Sequence, residues 1–463
     1  MTTEILLIEK WMDIMFRAIV DNNFGPTRTA RFQYLVSTIL CYSFLTYKNM
    51  RNINNRILKE PELIFIFTRE RSLNAVDNII FQSMGYLFDQ LNINKNILGE
   101  SNFNLNTMSI RVLNNIKLFL YRRNNDKYKD ADKPISIEKF PNQTKAIQVF
   151  NPNQDLSDLD KKTWTPLQHS VNGPIQKYLT PFWGEITPVE GINITKYMNM
   201  ADDNYSVVNE EINRKLGITE ILKTYENLTD VQRMIAEYFR GGKVTPPGIW
   251  NVIALYTIKS TGMNSTKSVQ FLYLLNVSMF MSSIVAWAVK FKYMQSRPIQ
   301  EIRLLDSQQV TTFDGSTVNN KQWKTLQPQN SQTPPFPDYI SGHSTFSSAA
   351  ATIFEQYFPN YDSIKFIPFS NFHGDLITSL LSNNSYINTV KVVMIKNGSS
   401  DVIHNDTQLK FPTCAVKLTF NGWRDIANLS GISRIYGGIH DNNANYAGLI
   451  IGECIARDVL TRN

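Results

Sequence analysis

The chain has 463 residues, with 47 Lys and Arg against 40 Asp and Glu, a formal charge of +7, and 43 % hydrophobic against 19 % charged residues. That composition excludes a disordered chain and supplies enough apolar side chain for one large buried core. The basic excess is spread thinly, with no run of five Lys or Arg, which argues against a nucleic-acid stripe or a polybasic membrane tail; no nucleic-acid or membrane partner is expected.

Residues 1–20 carry Glu4, Glu9, Lys10, Asp13 and Arg17 and no cleavable apolar block. No secretory signal is therefore expected, and a cytoplasmic location is the default. Leu6, Leu7, Trp11, Ile14, Met15 and Ala18 mark one face of an amphipathic helix instead. Helical patterns follow at 28–48, 73–92 and 207–225. Val231, Met234, Ile235, Tyr238 and Phe239 then recur at helical spacing, which predicts one buried face. Thr229 with Gln232 predicts a capping box at the start of that helix, Gly241-Gly242 its end, and Pro246-Pro247 the opening of the next segment. Residues 268–289 form 22 positions without a charge, interrupted by Gln270, Asn276, Ser278, Ser282 and Ser283. The spacing of those polar groups predicts a helix buried on all sides rather than a membrane span. Further helices are expected at 344–358 and 444–460.

Three stretches read as irregular: 125–204, 305–340 and 386–420. The last holds two strand-like runs, around 390–395 and 415–420, with Asn397-Gly398 between them, and predicts an inserted β-hairpin. The fold expected is all-α with long loops, as one helical domain over 1–463. It has an N-terminal half at 1–205 and a C-terminal bundle at 206–463 that carries the chemistry. Cys41, Cys414 and Cys454 are three in number with no C-x-x-C, which excludes a disulfide framework or a Cys-rich zinc site; they read as reduced and buried. No P-loop, G-x-G-x-x-G after a strand, H-E-x-x-H, G-x-S-x-G or EF-hand loop is present.

There are five histidines. His169, His373 and His404 sit in irregular or polar stretches and read as loop or surface residues. His343 stands in Ser341-Gly342-His343, just before an Ala- and Ser-rich helix start, where free N–H groups and the positive dipole end favour an anion. His440 closes Ser433-Arg434-Ile435-Tyr436-Gly437-Gly438-Ile439-His440, which sets a cation and an imidazole six residues apart. Lys290, seven residues before Arg297-Pro298, ends the uncharged stretch. Taken singly, these are an ordinary turn, a structural histidine and a cation complementing a helix C-terminus.

In that order, Lys-x6-Arg-Pro, Ser-Gly-His and Ser-Arg-x5-His resemble the signature shared by vanadium-dependent haloperoxidases and the type 2 phosphatidic-acid and acid phosphatases. Leu179-Thr180-Pro181-Phe182-Trp183-Gly184, Thr187-Pro188, Val244-Thr245-Pro246-Pro247-Gly248-Ile249-Trp250, Gly25-Pro26-Thr27-Arg28 and the stretch 448–452 are further similarities to the haloperoxidase branch. The resemblance implies two packed four-helix bundles and a vanadate cofactor. It assigns Lys290, Arg297, Ser341, Gly342, Arg434 and His440 to the oxyanion. His440 is the axial vanadium ligand, or the nucleophile in a phosphatase, and His343 the acid–base on the opposite face. By the resemblance, Lys290 would polarise the O–O bond of hydrogen peroxide, halide would be oxidised to hypohalous acid, and a small organic acceptor would be halogenated. By the same resemblance Trp287 and Phe336, three and seven residues before Lys290 and His343, line the halide pocket. A soluble phosphatase working through a phosphohistidine at His440 is the alternative, and a catalytically silent relative the third reading.

The sequence departs from the pattern at three places. Ile340 precedes Ser341 where many members have Pro. Ala444 stands where many have an Asp four residues after the axial histidine, so Asp441 or Asn445 is expected to orient the His440 imidazole. Phe239-Arg240-Gly241-Gly242 occupies the place of an acidic partner for the arginines, with Glu237 nearby.

Overall fold

The computed structural model describes residues 2–50, 57–64, 66, 72–100, 107–136, 138, 140–208, 211–240, 242–363, 386–388, 392–395, 400–404 and 407–462. Among them are thirteen α-helices: α1 (Thr3–Asp21), α2 (Pro26–Tyr47), α3 (Leu73–Leu91), α4 (Thr107–Asn124), α5 (Ile194–Val208), α6 (Glu211–Glu226), α7 (Asp230–Tyr238), α8 (Thr245–Thr261), α9 (Ser265–Tyr293), α10 (Pro298–Arg303), α11 (Gly342–Tyr357), α12 (Trp423–Tyr436) and α13 (Asn442–Thr461). The mostly helical architecture is the one expected. α2 gathers α1, α3, α4 and α8 around it, while α11 packs against α9, α12 and α13. The two groups meet where α2 lies along α9, and α8 touches both.

The 29-residue α9 is the spine of the molecule. Asn264 caps it by accepting from the Lys267 N–H at 2.9 Å. It ends at Met294, which adopts φ 48° and returns its N–H to the Lys290 carbonyl. Of the described residues, this is the one helix long and apolar enough to cross a membrane, and 94 % of its most apolar window is buried inside the protein. Several of its polar groups are matched to protein partners, while Gln270 Nε2 and Ser282 Oγ are buried without one. Asn276 and Asn251 exchange amide hydrogen bonds at 2.8 and 3.0 Å, and Ser283 accepts from Trp183 Nε1 at 2.9 Å. Paired polar groups of this kind belong to a buried core helix.

α7 has the capping box expected at Thr229 and Gln232. Met234, Ile235 and Phe239 are buried as expected, but Tyr238 is half-buried and Val231, in the first turn of the helix, is exposed. α1 likewise buries Trp11, Met15 and Ala18 while leaving Leu6 exposed. The 207–225 pattern falls on two helices, α5 and α6. Residues 305–340 are not purely loop, since 309–311 (β3) and 317–319 (β4) form a short antiparallel hairpin. Before them, β1 (Ile147–Gln148) and β2 (Leu167–Gln168) form a two-residue parallel pair.

The inserted β element is larger than one hairpin. Strands β6 (Val392–Ile395) and β9 (Val416–Thr419) do pair antiparallel, as the two apolar runs suggest. However, β5 (Tyr386–Asn388) adds to β6, and β7 (Ser400–His404) and β8 (Thr407–Phe411) form a second hairpin between β6 and β9. The Asn397-Gly398 turn and His373 lie outside the described residues. All three cysteines are free, but only Cys41 is buried; Cys414 is exposed and Cys454 half-buried.

Close helix contacts set the position of the helix ends. A Cβ on Gly448 would come within 2.7 Å of the Ser341 carbonyl oxygen, and one on Gly452 within 2.2 Å of the Thr345 carbonyl oxygen. These two glycines, one turn apart, let α13 lie directly on the first turns of α11. Gly452→Ala is therefore expected to destabilise the protein by about 1–3 kcal/mol through overpacking against backbone. A urea-unfolding midpoint equal to wild type would show that this contact is not tight.

Candidate active site

Lys290 sits in the last turn of α9, fully buried. Its ammonium donates to the Pro337 carbonyl at 2.8 Å and the Asp338 carbonyl at 2.7 Å. Burial, and next the Arg297 charge, pull its pKa well below the ordinary lysine value, with Asp338 opposing. Arg297 follows in the turn into α10, where Pro298 occupies the first helical position. Its Nε donates to the Phe336 carbonyl at 2.9 Å and its Nη1 to the Ile439 carbonyl at 2.6 Å. The remaining nitrogen, Nη2, is buried without a hydrogen-bond partner. Burial draws the Arg297 pKa down to about 10, against the pull of Asp338 and Tyr178.

Arg434 lies in the last turn of α12 and is also buried. Its Nε donates to Ser433 Oγ at 2.9 Å and its Nη2 to the Ala236 carbonyl at 2.5 Å. Glu237 does not neutralise it directly, because that carboxylate pairs with Arg240 at 3.0 Å. The C-terminal carbonyls of α7, the negative end of its dipole, hold Arg434 instead. Burial first, and then Arg240, lower the Arg434 pKa to about 9.

Ser341 is the N-cap of α11, accepting from Ser344 N at 3.3 Å, and its Oγ lies 2.8 Å from Ser344 Oγ. Ser344 has one hydroxyl hydrogen, and the Asn445 amide oxygen 2.7 Å away can only accept it, so the Ser341 hydroxyl hydrogen is directed at Ser344 Oγ. Gly342, at the first helical position, carries one of the N–H groups that have no partner inside the helix. An added Cβ there would meet the Trp287 ring at 3.6 Å. His343, one residue on, is half-buried, and its Nε2 lies 3.0 Å from the Phe239 carbonyl. A carbonyl only accepts, so Nε2 carries the proton and Nδ1 keeps the lone pair. Burial and then Arg434 and His440 hold its pKa well below the ordinary histidine value, so the ring is neutral.

His440 follows α12 and is 2 % exposed. Burial, then Arg297, Lys290 and Arg434, keep it neutral. Its Nε2 faces Arg297 Nη1 at 3.3 Å. Its Nδ1 contacts the Asp338 carboxylate, which is equally buried. Burial raises Asp338 to about 6, with Arg297 and Lys290 holding it down.

The partner expected for His440 was Asp441 or Asn445; the structure places both elsewhere. Asp441 caps α13, accepting from the Ala444 N–H at 2.7 Å, and its other oxygen accepts from Gln295 Nε2 at 3.4 Å. Asn445 accepts from Ser344 Oγ at 2.7 Å. Asp338 stands 102 residues before His440, beyond the reach of any local motif. One signal was available: between Lys324 and Glu355 it is the only Asp, Glu, Lys or Arg.

Trp287 and Phe336 meet beside the cations, with ring centroids 4.9 Å apart. Lys290 Nζ and the Arg297 guanidinium each lie 5.2 Å from the Phe336 ring. The upstream motif supports this wall. The Leu179 carbonyl accepts from Trp287 Nε1 at 3.0 Å, and Gly184 leaves no room for a Cβ, which would lie 2.5 Å from Ala288 Cα. Of the other histidines, His169 accepts from Gln332 N at 3.1 Å in a loop-to-loop contact, and His404 lies on β7.

Residues 270–463 match the family model described as the VCPO second helical-bundle domain. The architecture that it contributes to is the helical fold of the vanadium haloperoxidases. Among solved structures, an apo-type bacterial vanadium-dependent chloroperoxidase is similar at 14 % identity and a TM-score of 0.64, over 94 % of this chain and 94 % of that one. The holo-type form is similar at 14 % and 0.63, over 94 % and 92 %. A bacterial vanadium-dependent iodoperoxidase is similar at 16 % and 0.57, over 99 % and 96 %. No curated protein matches the sequence. At these identities the likeness to the solved structures is one of fold.

Lys290, Arg297 and Arg434 are three buried cations, and with Arg297 Nη2 unpartnered they favour an anion between them. Phosphate or vanadate at about a hundred times its Kd should stabilise the protein by ~2.7 kcal/mol. Arg297→Gln is expected to abolish that rise in melting temperature. An unchanged rise in the variant would place the anion elsewhere.

Proposed function

We propose that the protein is a vanadate-dependent haloperoxidase that oxidises halide with hydrogen peroxide to hypohalous acid. The observation that carries this reading is the burial of Lys290, Arg297 and Arg434 beside two neutral imidazoles, with Arg297 Nη2 unpartnered. That donor set fits a tetrahedral oxyanion: arginine forks for its oxygens, the Ser341 hydroxyl turned from Ser344 Oγ and the Gly342 N–H at the N-terminus of α11, and the Nε2 lone pair of His440 for its centre. Bound vanadate supplies a Lewis-acid centre that activates peroxide without a change of oxidation state.

The residues of the chain do the rest. Lys290 spends two hydrogens on carbonyls and has a third to give to a peroxide oxygen. His343, with its lone pair on Nδ1, takes a proton from incoming hydrogen peroxide and later returns one. Trp287 and Phe336 wall the halide pocket with apolar surface. Hypohalous acid then halogenates a small organic acceptor outside the site.

A phosphatase acting through a phosphohistidine at His440 is the second reading. It is favoured by the same neutral imidazole with Nε2 unprotonated, which suits attack on phosphorus. The enzyme freed of bound phosphate separates the two. Bromination of a phenol by peroxide that depends on added vanadate supports the first reading. Hydrolysis of p-nitrophenyl phosphate without vanadate, and no bromination, supports the second. His440→Ala should abolish either activity, and bromination that survives it would overturn the ligand assignment. His343→Ala should slow turnover about 10²–10⁴-fold while leaving vanadate affinity within a few-fold. Equal loss of both would refute the separate roles of the two histidines.

A further inference from the structure

The polar groups of Asp338 are all engaged around the site. Its N–H donates to the Gln295 carbonyl at 3.0 Å, and its own carbonyl accepts from Lys290 Nζ at 2.7 Å. Its carboxylate takes a hydrogen bond from the Asp441 backbone N–H and contacts His440 Nδ1. Four bonds in different directions leave the carboxylate little freedom. Asp338 is 1 % exposed, withdrawn from bulk solvent.

Two separate contacts specify the same tautomer of His440. A guanidinium only donates, so the ring nitrogen facing Arg297 Nη1, Nε2, must be the acceptor. An ionised carboxylate only accepts, so the nitrogen facing Asp338, Nδ1, must carry the hydrogen. Asp441 and Asn445, the neighbours in sequence, are both committed to other groups.

We propose that Asp338 is the positioning residue for His440, holding the proton on Nδ1 so that Nε2 presents its lone pair to the bound oxyanion. The proposal rests on the reading of the site as an oxyanion site and adds to it the residue that orients its axial imidazole. A carboxylate behind a ligating histidine fixes both the ring orientation and its basicity, and losing one costs about 10–100-fold in affinity. Because the carbonyl of the same residue holds Lys290, a single position sets the two groups that face the reacting oxygens. Asp338→Asn keeps the shape but turns one acceptor into a donor. The amide then meets either the Asp441 N–H or the Nδ1 hydrogen donor to donor, and the ring loses its single tautomer.

The test is the ring nitrogen spectrum of histidine-labelled, ligand-free protein, with His440 assigned among the five histidines by its disappearance in His440→Gln. Wild type should show a protonated Nδ1 and an unprotonated Nε2. Asp338→Asn should show the other tautomer or a mixture, and bind vanadate about 10–100-fold more weakly by titration calorimetry. Asp441→Asn, whose amide oxygen can still accept from the Ala444 N–H, should leave both readings as in wild type. Three results would overturn the proposal: a wild-type ring protonated on Nε2, an Asp338→Asn protein with wild-type tautomer and affinity, or the same changes produced by Asp441→Asn. The wild-type spectrum needs neither ligand nor variant fold. If vanadate fails to bind wild type, the haloperoxidase reading falls, while the spectrum still decides the role of Asp338.

Discussion

Positive charge buried without an equal negative charge is the constraint around which this molecule is arranged. Lys290, Arg297 and Arg434 are each withdrawn from water, and each is held by main-chain carbonyls. Carbonyls satisfy the N–H groups without cancelling the charge, so the cations stay in place and still favour an anion. Among the described residues, the carboxylate in direct contact with the site, that of Asp338, is turned to an imidazole rather than to a guanidinium. The same placement keeps both histidines neutral, because nearby cations and burial oppose protonation.

Those carbonyls come from segments far apart in sequence, which requires several chain ends to meet within a few ångströms. Small residues make that approach feasible. Gly448 and Gly452 lay α13 on the start of α11, and Gly184 brings the upstream loop onto α9 at Ala288, beside Trp287. A second buried pair steadies the turn before α10. Arg214 bonds Ser296 Oγ at 2.8 Å and pairs with Glu301, on either side of Arg297. The positions that look unremarkable in composition are the ones that set the geometry of the charged groups.

Part of this was legible in the residues alone. The 22-residue uncharged run, the capping box at Thr229 and the helical stretches at 28–48, 344–358 and 444–460 follow from local periodicity and capping, which act over a few residues. The clustering of Lys290, Arg297, Arg434 and His440 was legible by another route, the order of short motifs. The β insert was half legible: the apolar runs that become β6 and β9 stood out, but β5 and the β7–β8 hairpin did not, since strand pairing is decided between segments.

The sequence by itself determined the helical periodicity, the long uncharged spine and the set of cations and imidazoles, because each is written within a short window of chain. Tertiary structure alone decided which acceptor each of those groups would meet. Glu237 is near Arg434 in space yet bonds Arg240, and Asp441 adjoins His440 in sequence yet caps a helix. Asp338, 102 residues away, is the acid that reaches the ring. A hydrogen bond tolerates errors of only a few tenths of an ångström, and that precision comes from the packing of whole helices.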